Sequence, residues 1–472
     1  MNGRGDDRRR GATGWRALLA RAFRAADTDL THGPVHTAVI LLAIPMVLEM
    51  AMESVFALTD IFFVARLGAA AVAAVGLTEA VMTLVYAVAV GLGMGVTALV
   101  ARRVGEGDDR GAARVTGQAL WLGAATAAVV AAIGLGAGAE VLRAMGADAD
   151  VVATGTGYTR LLLGGAASVV FIFVLNAAYR GAGLPAIAMR ALMLANALNI
   201  VLDPCFIFGL GPFPELGVTG AALATTLGRS VGVVYLLWKL AGRQPHLAVA
   251  RADLRFDARL AGHLLEVSAG GILQFLVATA SWVVLMRLVA AFGGAAVAGY
   301  TIAVRIIDIT ILPAWGFSNA AATLVGQNLG AGVPARARAA VRVVMGYTVG
   351  YMAAVGLVFV GAGAALVGFF TSNGAVVAHG AACLALVGLG YGFLGLSMTL
   401  TQAFNGAGDT WTPTWINLAG FWGLQLPLAW GLATAAGQGP RGVFVAIAVA
   451  EVAVALIAWA WYRRGRWAEV RV

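Results

Sequence analysis

Six acids and amides interrupt two of the apolar stretches of this chain: Glu49, Glu53 and Asp60, then Asn196, Asn199 and Asp203. Glu49 and Glu53 are one helical turn apart, and Asp60 lies seven residues beyond Glu53, on nearly the same stripe. Asn199 and Asp203 are four apart, so on a helix their side chains meet on one face. An amide beside a carboxylate offers oxygen ligands to a small cation. It also steadies a carboxyl group as it gains and loses a proton. The chemistry on offer is therefore reversible binding of a proton or a monovalent cation. A plainer alternative stays open. Asp60 is near the end of its apolar run and could be solvated there, and Asn199 with Asp203 could form a structural hydrogen bond at a helix end marked by Pro204. Arg305 and Asp308, three apart, read as an ion pair that either neutralises itself for insertion or touches a substrate. Asn176 and Gln274 are further polar groups that could contact ion or substrate. Pro45 removes a backbone hydrogen bond just before the first acids and could bend that helix as a hinge.

Other chemistries lack their motifs. There is no GxxxxGK[ST] phosphate loop for an ATP-driven pump. There is no HExxH or Cys/His cluster for zinc, and His32, His36, His246, His263 and His379 are scattered. No GxSxG nucleophile motif occurs. An enzyme is not expected, nor a cofactor. Cys205 and Cys383 lie in apolar surroundings, where free cysteine behaves as a small hydrophobe, so no disulfide is expected.

The elements that must position these groups are membrane helices. The hydrophobic fraction is 60% and the charged fraction 12%, and a soluble domain carries about twice that charge. A span needs about 20 mostly apolar residues. Such runs recur at 39–64, 71–100, 115–138, 155–179, 187–210 and 217–240, then at 262–290, 297–327, 339–368, 376–404, 411–435 and 441–462. The expected fold is all-α, with twelve transmembrane helices in two six-helix bundles. A basic extension (1–36), an amino-terminal lobe (37–240), a polar linker (241–259), a carboxy-terminal lobe (260–462) and a tail (463–472) follow from these runs.

The net charge of +9 comes almost wholly from arginine, Lys239 being the only lysine. Nucleic acid binding is the tempting reading. The arginines instead gather in alternate loops: the amino end (Arg4, Arg8, Arg9, Arg10, Arg16, Arg21, Arg24), Arg102 to Arg114, Lys239 to Arg259, Arg336 to Arg342, and the tail at Arg463, Arg464 and Arg466. The positive-inside rule makes that side, and both termini, cytoplasmic, in an inner (plasma) membrane protein. The opposite loops hold few basic residues, among them Arg66, Arg143, Arg160 and Arg441. Arg229 and Arg287 could snorkel to an interface. Trp411, Trp415, Trp422, Trp430, Trp459 and Trp461 suit interfacial belts, or could line a cavity for flat cations.

A shift of 225 residues superposes the two halves. Gly68 falls on Gly293, Gly91 on Gly316, Leu99-Val100 on Leu324-Val325, and Tyr179-Arg-Gly-Ala-Gly183 on Phe404-Asn-Gly-Ala-Gly408. Each half has six spans, so the repeat is parallel, with a pseudo-two-fold axis along the membrane normal and a site between the halves.

With these residues in place, the chain resembles a multidrug and toxic compound extrusion (MATE) transporter from about Pro34 to Tyr462. The resemblance is carried by Asp60-Ile-Phe-Phe-Val-Ala-Arg-Leu-Gly68, Leu324-Val-Gly-Gln-Asn-Leu-Gly-Ala-Gly332, Tyr179 to Gly183 and Asn405-Gly-Ala-Gly-Asp-Thr410. It implies export of organic molecules driven by inward flow of protons or sodium ions. It also implies an amino-terminal ion site made by Asp60, the Asn199-x-x-x-Asp203 pair, and Ala221 with Thr225, with Pro45 as the bend of the first span. In that site Na+ would be held by Asp60, Asn199, Asp203 and Thr225. The combination looks most like the DinF-type branch. Membrane lipid surrounds such a protein, and a monomer is expected.

The halves differ in charge. The repeat places Gln274 at the position of Glu49 and Leu285 at that of Asp60. Neither the core of the seventh span nor Leu384 to Phe404 holds an acid, and Glu266 sits near a span end. Ion coupling is therefore expected in the first half. A rival reading, a flippase for lipid-linked precursors from the same superfamily, would need a strongly cationic cavity. A passive channel would show no dependence on an ion gradient.

Overall fold

The computed structural model describes residues 18–23, 29–242 and 244–470. The arginines at 4, 8, 9, 10, 16 and 24 lie outside them. Twelve spans succeed one another: α1 (Val35–Val64), α2 (Ala69–Gly105), α3 (Asp109–Ala144), α4 (Ala149–Gly181), α5 (Pro185–Phe208), α6 (Val218–Ala241), α7 (Ala258–Ala290), α8 (Gly294–Gly330), α9 (Pro334–Gly368), α10 (Gly374–Gly406), α11 (residues 411–435) and α12 (Pro440–Arg463). Among the described residues eleven of them are single helices long and apolar enough to cross a membrane, and α11 is broken into shorter pieces. It starts as α-helix over Trp411–Asn417, widens to π-turns over Leu418–Gln425, returns to α over Leu426–Trp430 and widens again over Gly431–Ala435. Pro427 has no N–H to give the α ladder, and Gly420, Gly423 and Gly431 loosen it further.

Most helices run past the apolar stretches that announce them. The helix of 71–100 extends over Ala69–Gly105, and that of 115–138 over Asp109–Ala144. Hydropathy marks only the part in hydrocarbon, whereas backbone hydrogen bonding continues until a cap stops it. Asp108, Asp148, Asp257 and Asn373 are such caps, each accepting from a backbone N–H of the first turn. Asp148 and Asn373 are equivalent under the 225-residue shift, as are Gly68 and Gly293, whose φ of 96° and 98° open α2 and α8.

The two halves meet as a two-fold pair would. Gly91 on α2 receives Ile272 of α7, and Gly316 on α8 receives Val47 of α1. Farther along, Gly105 abuts the Gln327 carbonyl and Gly330 abuts that of Arg102. Each contact is the 225-residue image of its partner, the signature of an isologous interface. Thr323 Oγ1 donates to the Arg180 carbonyl at 3.0 Å and Gln327 Nε2 to that of Gly181 at 2.9 Å. All these contacts lie toward the end bearing the basic loops. On the opposite halves of α2 and α8, none of Gly76, Gly294 and Gly299 touches the other lobe.

The first span does not belong wholly to the first lobe. Its amino half buries Val39, Leu42 and Met46 against Ala320, Leu324 and Val344 of α8 and α9. Its carboxy half packs on α5. Pro45 sits in the last turn of the first attachment, since Met46 and Val47 beyond it still meet α8, and the helix runs through it without interruption. The linker also docks: Trp121 Nε1 donates to the Leu254 carbonyl, and Gln118 Nε2 to that of Arg255, both at 2.8 Å.

Candidate functional site

Small residues bring α5 and α6 close enough for their polar groups to meet. A side chain at Gly220 would overlap the Phe206 carbonyl, and one at Gly228 would lie 2.6 Å from that of Ala195. Ala221 and Ala224 are fully buried on the same face. Such close backbones are how membrane helices pack without a hydrophobic drive. Asn199 Nδ2 therefore reaches both Asp203 Oδ1, at 3.3 Å, and Thr225 Oγ1, at 3.0 Å. Asn199 Oδ1 and Asp203 Oδ2 are buried with no hydrogen-bond partner. A cluster of acceptors short of a donor suits a proton or a small oxygen-seeking cation. Asp60, half-buried on α1, is within electrostatic reach of Asp203. These are the residues that the sequence groups together.

The other two acids of α1 are held by arginines from neighbouring helices. Glu49 is 1% exposed and accepts from Arg180 Nη1 at 2.9 Å and from Asn176 Nδ2 at 3.4 Å. Its Oε2 has no partner. Glu53 accepts from Asn196 Nδ2 at 3.0 Å and faces Arg229 Nη2 at 3.7 Å. Arg229 does not snorkel to an interface: it is buried, donates to Tyr86 Oη at 2.9 Å, and stands 5.5 Å from the Phe56 ring centroid. Acids on α1 supply the countercharge that removes any need to reach water.

Sequence reasoning passed over Glu79 on α2. It lies near Tyr158 and in the electrostatic field of Asp60 and Arg229. Its signal was the one that exposed the α1 acids, an ionisable residue inside an apolar run. Arg180 stood only as part of a loop motif, and Tyr86 and Tyr158 gave no signal of their own.

One expectation for the carboxy half is corrected. Arg305 and Asp308 are both exposed and form no ion pair; Asp308 feels the Arg305 charge only across space. The long arginine has room to extend away from the shorter acid on an open face. Trp315 of α8 lines a cavity of the carboxy half. Gln274 is buried, lines that same cavity, and leaves its Oε1 unpartnered. Among the described residues no group of three or more His, Cys, Asp and Glu side chains could hold a metal ion.

The sequence model described as MatE matches residues 45–205 and 271–430. The two matched segments begin 226 residues apart, close to the 225-residue repeat. A relative from Thermotoga maritima named probable multidrug resistance protein NorM is 26% identical, over 84% of this chain and 85% of its own length. A Shewanella oneidensis protein named FAD transporter is also 26% identical, over 85% of this chain and 88% of its own length. A solved structure described as the outward-facing conformation of a multidrug resistance MATE family transporter of the MOP superfamily superposes with a TM-score of 0.86. It is 27% identical and covers 92% of this chain and 97% of its own.

Proposed function

This chain belongs to the MatE family, and on that premise we propose that it is a secondary antiporter exporting organic cations in exchange for inward-moving protons or sodium ions. It is a multi-pass membrane transporter and not an enzyme. The observation that carries the reading is the charge of the amino-terminal network. Glu49, Glu53, Asp60, Glu79 and Asp203 stand against only Arg180 and Arg229. An acidic interior favours cations and disfavours the pyrophosphate of a lipid-linked precursor.

Coupling is placed at Asp60 and Asp203. A proton shared between them, or a sodium ion held with Asn199 and Thr225, satisfies the acceptors left open there. Its arrival changes the packing of the carboxy half of α1, and the Pro45 region transmits the change to the amino half, which rests on α8 and α9. The grouping of Asp60, Asn199, Asp203, Ala221 and Thr225 supports placement in the DinF-type branch. The basic loops support an inner-membrane protein with both termini cytoplasmic, working as a monomer. Contacts between lobes then seal the cytoplasmic side, which makes this conformation outward-facing.

Purified protein in liposomes tests the reading. An imposed pH or sodium gradient should drive a cationic dye across the membrane, and collapsing the gradient should stop it. Asp60→Asn and Asp203→Asn should each abolish gradient-driven movement. Unchanged efflux in both variants, at equal protein levels, would overturn the assignment.

A further inference from the structure

The amino-terminal network leaves one buried acid unused. Glu451 on α12 is 7% exposed, and its Oε2 has no hydrogen-bond partner. It lines a cavity of about 140 Å³ with Gln274 of α7, Trp315 of α8, Gln402 of α10 and Phe421 of α11. Met94 of α2 completes the wall from the other lobe. Gln274 Oε1 is likewise buried and unpartnered. Both residues line one cavity with an oxygen left unpartnered beside it, and among the described residues that line it none carries a positive charge.

The repeat explains the missing charge. In the first half, Glu49 is matched by Arg180 and Asn176. Under the 225-residue shift these three become Gln274, Asn405 and Thr401. Gln274 and Thr401 both line the cavity. So the cavity occupies the place where the first half keeps its Glu49–Arg180 pair. There the guanidinium is replaced by an amide, and a carboxyl enters from α12 instead. A buried carboxylate needs a countercharge, so here it must be a proton or an incoming cation.

The lining selects the cation. A cavity near this volume accepts a benzene-sized ring. Trp315 and Phe421 offer ring faces that attract positive charge. Amide oxygens and one carboxylate give the few polar anchors typical of a small-molecule site. We propose that Glu451 is the anionic anchor of a carboxy-half site for the head group of a transported aromatic monocation, occupied alternately by proton and cation. The Glu451 O–H bond breaks, the proton leaves to water, and the carboxylate pairs with the entering ammonium, so one positive charge replaces another. This rests on the efflux reading and adds to it a residue and a substrate class.

The response to pH should be Glu451's own. Of the elements packed on α12, α10 carries His379, Cys383 and Tyr391, α8 carries Tyr300, Arg305 and Asp308, α7 carries Arg259, His263, Glu266 and Arg287, the terminal turn carries Arg466 and Glu469, and α11 carries no titratable group. Of these, Tyr391 is the one in electrostatic reach of Glu451.

Benzyltrimethylammonium and the neutral, similarly shaped 2-methyl-1-phenylpropan-2-ol are the probes, titrated into the purified full chain in weak buffer. The cation should bind, release one proton per molecule, and bind more weakly in acid; the alcohol should do none of these. Glu451→Gln should lower affinity for the cation roughly ten- to hundred-fold and abolish proton release. Glu451→Asp, which keeps the charge, should retain release and decide the matter if the glutamine variant does not fold. Wild-type affinity and proton release in Glu451→Gln would overturn the proposal, as would an alcohol that binds as well as the cation. Liposome assays separate the two readings. Gradient-driven efflux together with Glu451-independent binding sinks the site alone. Glu451-dependent binding without gradient-driven movement of any cation sinks the efflux reading and leaves the site standing.

Discussion

At the scale of single residues, the first lobe is a balance between acids on one helix and their partners on others. Glu49 and Arg180 are both largely buried, with side chains 2% and 14% exposed. Removing only one of them leaves an uncompensated charge, which costs about 3–5 kcal/mol. Arg180→Ala should therefore lower the melting temperature of the solubilised protein sharply, and Glu49→Gln added to it should restore most of the loss. Equal melting of the single and double variants would show that the pair does not bear on stability. Half of this balance was legible beforehand. Asn199 and Asp203 were readable because their spacing places them on one face, and Asn176 was singled out as polar within a span. Arg229 was misread because its partners, Glu53 and Tyr86, come from α1 and α2, and contacts between helices leave no trace in the spacing along one. Glu79 and Glu451 were visible as ionisable residues in apolar runs. They escaped because acids were weighed in the first, fifth, seventh, eighth and tenth spans, whereas these two lie in the second and the twelfth.

At the scale of elements, the apolar runs located every span, but not where helices end or which lobe they join. Caps such as Asp148 and Asn373 lengthen helices beyond hydrocarbon, and π-turns in α11 have no hydropathy signature. The division of α1 is the consequential finding. One half is anchored on α8 and α9, the other carries Glu49, Glu53 and Asp60 toward α5 and its Asp203, and Pro45 lies one turn before the changeover. Proline leaves a carbonyl one turn back without its usual donor, so the two halves can change their mutual angle at little cost. Pro45→Ala supplies that donor. The variant should fold with a melting temperature at or above wild type, while its gradient-driven turnover falls several-fold. Wild-type turnover would show that α1 moves as one rod and that coupling runs by another route.

At the scale of the whole molecule, alternating access asks the seal between lobes to open and re-form. The seal is built from glycines placed by the two-fold: Gly105 against Gln327 and Gly330 against Arg102. Glycine is needed there because backbone meets backbone, and a larger residue would overlap a carbonyl that cannot yield. Gly105→Val should therefore hold the basic side ajar. Ser268 reports on this directly, since it is fully buried where α7 meets Gly95 of α2. With Cys205 and Cys383 replaced, a cysteine introduced by Ser268→Cys should resist a water-soluble maleimide while the seal is closed. Combined with Gly105→Val it should label readily, and efflux should fall at least ten-fold because the seam can no longer be held closed. Protection of the cysteine in both backgrounds would mean that the glycine contacts do not form the gate. Labelling in both would mean that the closed arrangement is only a minor member of the population. Labelling confined to the valine background would make the two-fold seam the moving part of the transporter, with the acidic network on one side of it and the Glu451 cavity on the other.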